Sequence, residues 1–242
     1  MLIHETGHAL ALLILDYPDI HLLATPFFGV TTSSESIGMN DAAFIFVAGS
    51  FFDLFCATII TLSLWHKRSI KLLPILMYGG AAYLIEGVVM FNTFFTSIVL
   101  IGWDGIIYLG FSPFIVAFLA GIVLVVGILL LYLIWPLVNI SSQDSFFKKI
   151  FINLGYITYF ILFLIFSMMY NHLLPPEIIL LVVLNMIVSV SILIIMIVFY
   201  KPLFPLIDRV SDTEVNDSSW SAVWISLGSA CTIFLFLLLF FN

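Results

Sequence analysis

The sequence predicts an all-α polytopic membrane protein: about six full transmembrane helices, a partial N-terminal helix and one small β-hairpin. Three observations predict it. Apolar residues make up 63% of the 242 and charged ones 9%, with a mean hydropathy of +1.26, far from the balance of a soluble domain. The apolar residues gather into six runs, 41–65, 72–101, 113–135, 146–170, 177–200 and 220–241, each long enough as a helix to cross a hydrocarbon layer of about 30 Å. Backbone amides in lipid have no water to bond, so runs of this length must be helical. The third observation is the placement of the seven basic residues in three segments: Lys67, Arg68 and Lys71; Lys148 and Lys149; Lys201 and Arg209. With one crossing per run, these alternate with 104–113 and 171–176, which hold no Lys or Arg. That is the signature of cytoplasmic loops. The net charge of −7 is spread over loops and excludes a nucleic-acid partner. Cys56 and Cys231 both fall inside apolar runs, as small hydrophobes do, so no disulfide is expected.

The first element carries the chemistry. His4-Glu5-Thr6-Gly7-His8 is an HExxH pattern, and residues four apart on a helix lie on one face. Both imidazoles can therefore reach one zinc ion, with Glu5 beside them as general base toward a water. The chain holds five His and five Glu, so chance would give the pattern about once in 500 such chains. Residues 1–15 span only about 22 Å as a helix, too short to cross. We therefore expect this helix to begin upstream of Met1.

Next comes a polar stretch. Residues 20–25 and 30–34, separated by Pro26-Phe27-Phe28-Gly29, fit a β-hairpin beside the metal site. Its edge can accept an extended substrate as an added strand. Gly29, Val30 and Thr31, with Asn92 further on, are the candidate substrate-binding residues. His21 fits an interfacial histidine, with a spare metal ligand as the alternative, and His66 and His172 lie near span ends.

Run 41–65 is the first full span and contains Asp53; run 72–101 contains Glu86. Two short crossings in 72–112 would put Lys148 and Lys149 outside. One span to about residue 90, followed by a broken stretch through 92–105, keeps the charge pattern. Irregular backbone at that depth is tolerated where it lines a cavity. Zinc needs a third protein ligand and an open position, and intramembrane carboxylates are functional candidates. Asp104, in Gly102-Trp103-Asp104-Gly105, is the preferred third ligand because its loop lies at the face that the His8 helix reaches near Asp16. Asp53 and Glu86 are alternative ligands, or polar residues satisfied between helices. Residues 113–242 hold four apolar runs and no motif.

In order, these pieces resemble the site-2 protease family of intramembrane zinc metallopeptidases, in its compact bacterial and archaeal branch. His4-Glu5-Thr6-Gly7-His8-Ala9 is similar to that family's HExGHA stretch, 28–32 to its glycine-bearing hairpin, 48–53 to its AGPxxN stretch, and 102–105 to its aspartate–glycine motif. Ser50 stands where the family has proline and Asp53 where it has asparagine, and the proline before the aspartate–glycine pair is absent. The resemblance covers 1–112 and makes it a metallopeptidase-like core, with 113–242 a C-terminal membrane region. It implies zinc held by His4, His8 and Asp104, Glu5 as general base, a transmembrane protein as substrate, and a multi-pass protein of a prokaryotic plasma membrane. A transporter or channel using the intramembrane carboxylates, and an inactive scaffold, are the alternatives.

The basic loops place the site on the non-cytoplasmic face, opposite to the family's usual orientation. Single cysteines at Ser34 and Ser69, in a background lacking Cys56 and Cys231, are expected to label oppositely on intact cells with an impermeant thiol reagent. Ser34→Cys should react and Ser69→Cys should be protected; the reverse would change the number of crossings in 72–112.

Overall fold

In a computed structural model, the structure describes residues 2–23, 29–33, 36–64, 73–95, 103–137, 146–147, 149–150, 176–198, 228 and 232. The elements run α1 (Leu2–Ile14), β1 (His21–Leu23), β2 (Gly29–Thr31), α2 (Met39–Leu64), α3 (Leu73–Phe95), α4 (Asp104–Tyr108), α5 (Pro113–Leu137) and α6 (Pro176–Val198). Within the described residues, Met39–Leu64, Ile75–Thr93 and Pro113–Tyr132 are long and apolar enough to cross a membrane. The expected spans over 146–170 and 220–241 lie almost wholly outside the described residues. Run 72–101 contributes one continuous helix as far as Phe95; residues 96–102 are outside the description.

Local chemistry sets the helix ends. The backbone N–H of Tyr17 reaches the Leu12 carbonyl at 3.0 Å and that of Asp16 the Leu13 carbonyl at 3.2 Å, with Asp16 at φ 57°. This is a Schellman stop with an aspartate in the left-handed position, where glycine is commoner. The same closure ends α4, where Phe111 N–H bonds the Ile106 carbonyl and Gly110 N–H the Ile107 carbonyl. Gly110 takes φ 94° there, a conformation that suits a residue without Cβ. Pro113 and Pro176 open α5 and α6, where a missing N–H costs no helical bond.

β1 and β2 pair antiparallel, with His21 opposite Thr31 and Leu23 opposite Gly29, and both strands pack against α1. Beyond Thr31 the ladder gives way to side chains: Thr32 donates to the Pro18 carbonyl and Ser33 to Asp19.

Two compact units form. One comprises mainly Met1–Ile59 and Ala82–Val126; the other mainly Ile60–Ala81 and Gly127–Phe240. In the first, α1 runs antiparallel to α2. Gly7 meets Ala48, Gly49 and Phe52 so closely that a Cβ would lie 2.5 Å from the Ala48 carbonyl oxygen, while further along α1's chain Tyr17 donates to Asp41 at 2.8 Å. That bond holds the Tyr17 phenol above its ordinary pKa. Small residues letting backbones approach are how helices associate where no hydrophobic force separates protein from lipid. A core of Met90, Trp103, Val116 and Ala120 joins α3, α4 and α5, with Val47 and Leu54 of α2 packed against it.

On α2, Ala43, Ser50, Asp53, Ala57 and Thr61 are buried, while Phe44, Phe51, Phe55, Ile59 and Leu62 are exposed. Small and polar residues turn inward and large apolar ones outward at helical spacing, the arrangement suited to hydrocarbon surroundings. Phe114, Phe118, Ile122, Val125 and Leu129 form a similar exposed stripe on α5. Of the three long apolar helices, α3 is the least apolar and the most buried. In the second unit, Leu131, Trp135, Leu193 and Ile197 are buried, and Tyr132 donates to the Met196 carbonyl at 3.3 Å.

Candidate metal centre

The candidate centre is assembled in the first unit from three helices and the residue that precedes α4. α1 contributes His4, Glu5 and His8. The two imidazoles sit edge to face, with ring centroids 4.8 Å apart and planes at 82°, as residues one turn apart should. Their ligand atoms and a Glu5 carboxylate oxygen all lie within 4.8 Å of one another.

Each histidine is oriented through its Nδ1. His8 Nδ1 lies 2.6 Å from the Ile45 carbonyl on α2. A carbonyl only accepts, so Nδ1 carries the proton and Nε2 keeps its lone pair for a metal. The His8 ring occupies space that a side chain at position 49 would take: a Cβ on Gly49 would overlap its Cε1 and Nε2, and would stand 2.8 Å from its Nδ1. His4 Nδ1 lies 3.3 Å from Glu86 Oε1 on α3.

Glu86 is 4% exposed, and its second oxygen accepts the indole N–H of Trp103 at 2.9 Å. Trp103 immediately precedes α4 and is itself buried. The Ser50 hydroxyl is close to the Glu86 carboxylate but meets no hydrogen-bond geometry with a described group. Asp53, one turn further along α2, brings a carboxylate oxygen within 4.8 Å of ligand atoms of both His4 and Glu86. Two sets of potential ligands therefore share His4: His4, Glu5 and His8, and His4, Asp53 and Glu86.

Asp104 opens α4 directly after Trp103, and Gly105 lets α4 approach α2 where a Cβ would overlap the Ala43 carbonyl and stand 2.8 Å from Val47 Cγ2. The segment thus packs on the helix that carries Ile45 and Gly49. The side chain of Asp104, the expected third ligand, lies outside the described residues. Gly29, Val30 and Thr31 form β2, on a sheet packed against α1. Asn92 lies about 9 Å along α3 from Glu86.

In the sequence, Trp103 and Ile45 carry no sign of a role, and Glu86 reads either as a ligand or as a polar residue satisfied between helices. The available signal for Glu86 was its position in an apolar run: a carboxylate there requires a partner. Nothing in the sequence marked the Ile45 carbonyl, because any backbone carbonyl can serve.

No family model matches the chain, and no curated protein or solved structure matches it.

Proposed function

We propose that this chain is a membrane-embedded zinc endopeptidase that hydrolyses peptide bonds in or near transmembrane segments of other proteins. It would act as a multi-pass protein of a prokaryotic plasma membrane, in line with its resemblance to the site-2 protease family. The observation that carries the reading is the orientation of His8: its Nδ1 is engaged by the Ile45 carbonyl, so Nε2 holds the lone pair of the neutral ring, and a ligand atom of His8 lies within 4.8 Å of ligand atoms of His4 and Glu5. Donors of this kind suit zinc, which takes imidazole nitrogen and carboxylate oxygen in tetrahedral sites.

When bound, zinc supplies a water acidified toward neutrality and polarisation of the scissile carbonyl. His4 and His8 hold it, with Asp104 as the proposed third ligand. Glu5 accepts the proton of the attacking water and delivers it to the leaving amine as the C–N bond breaks. An edge of the two-stranded sheet against α1 would offer backbone groups to a substrate that has unwound into an extended strand. A transmembrane helix must unwind before its peptide bond is open to attack. A second reading, a transporter using Asp53 and Glu86, draws on their burial beside His4 and needs neither zinc nor Glu5.

Metal analysis of the purified chain tests the proposal. The wild type should carry about one zinc and His8→Ala essentially none, since one imidazole with carboxylates leaves the ion underligated. Asp104→Ala should weaken zinc binding at least tenfold. A wild-type chain that takes up no zinc would overturn the peptidase reading. Full zinc occupancy in Asp104→Ala would move the third ligand to another carboxylate.

A further inference from the structure

Glu86 sits deep in the least apolar and most buried of the three long apolar helices. A carboxylate there is retained only against strong partners. It has two on opposite oxygens: Oε2 receives the Trp103 indole N–H at 2.9 Å, and Oε1 faces His4 Nδ1 at 3.3 Å. The indole can only donate, which fixes the rotation of the carboxylate. The remaining oxygen then faces Nδ1 of His4, and with Nδ1 so engaged Nε2 is the ring nitrogen left for a metal. His8 is treated the same way by a different group, the Ile45 carbonyl.

Metal-ligating histidines regularly give their second ring nitrogen to a carboxylate or a carbonyl. Such a partner fixes the tautomer, points the ligating nitrogen and raises its basicity. We propose that Glu86 is the positioning residue of the metal centre: clamped by Trp103, it accepts the His4 Nδ1 proton and aims Nε2 at the zinc. The clamp also ties α4, the helix that Asp104 opens, to the His4 side of the site through one buried side chain. This rests on the zinc reading above and adds to it a role for a residue that HExxH does not contain. Asp53 closes the same cluster from α2.

The test uses the full chain purified in detergent, titrated with zinc and separately with cobalt as a spectroscopic probe. Glu86→Gln should weaken zinc binding 10- to 100-fold, the range for loss of such partners. At saturating cobalt it should keep the wild-type ligand-field band positions, because the ligands themselves are intact. Trp103→Phe keeps the packed ring but frees the carboxylate, and should weaken zinc in the same direction by a smaller factor. It carries the test if Glu86→Gln does not fold.

Three outcomes overturn the proposal. Unchanged zinc affinity in both variants would remove the positioning role. Loss of metal at saturation in Glu86→Gln, with Trp103→Phe unaffected, would make Glu86 a ligand. Shifted cobalt bands in a variant that still binds would do the same. If the wild-type chain binds neither metal, the zinc reading itself fails, and that result is distinct from the other three.

Discussion

Glu5→Gln is expected to lower proteolysis by on the order of 10² or more while zinc stays at the wild-type level, because a positioned general base contributes about 10²- to 10⁴-fold. The amide is nearly isosteric with the carboxylate and cannot take a proton from water. His4 and His8 are untouched, and their Nδ1 contacts with Glu86 and the Ile45 carbonyl remain. The measurement is cleavage of a tagged single-span membrane protein by purified enzyme, read beside metal content in the same preparation. Loss of zinc together with activity would move Glu5 into the ligand set, which the approach of its carboxylate to both imidazoles allows geometrically. Wild-type cleavage rates would show that the cleavage does not depend on Glu5 and remove it as the general base.

Gly49→Val should abolish tight zinc binding without replacing any ligand. A Cβ at position 49 would occupy the place of the His8 ring, and the two added methyls leave no rotamer that avoids it. Either the ring swings off the Ile45 carbonyl or α1 and α2 separate, and overpacking of this kind costs about 1–3 kcal/mol. Separation would also break the contact at Gly7, which already lies against Ala48, Gly49 and Phe52. We expect zinc affinity to fall by about 100-fold, the upper range for losing a ligand's orientation, together with a lower unfolding temperature in detergent. Gly121→Val on α5 is the control, since a Cβ there meets nothing within 4 Å. Zinc bound by Gly49→Val as tightly as by the wild type would mean that the described position of the His8 ring is not the metal-binding one.

The sequence by itself determined the features that depend on neighbours along the chain. Helix periodicity put His4 and His8 on one face, and apolar length and Pro113 marked where α5 begins. Burial of polar backbone in hydrocarbon admits only helices at these lengths, so α2, α3 and α5 were legible from composition alone. The glycine of HExGHA was legible as a small residue, but not as the contact that seats α1 on α2. Tertiary structure alone decided which carboxylate meets which imidazole. Asp53, Glu86 and Asp104 are equivalent in the sequence as intramembrane or loop acids, and the membrane face expected for its loop favoured Asp104. The fold brings Glu86 to His4 across three intervening elements and fixes it through Trp103. It likewise gives His8 a backbone carbonyl and places Gly49 against its ring. These contacts arise from the angle and offset at which helices cross. Those are set by close packing of small residues on facing helices, a property of pairs of surfaces that no single stretch of sequence contains.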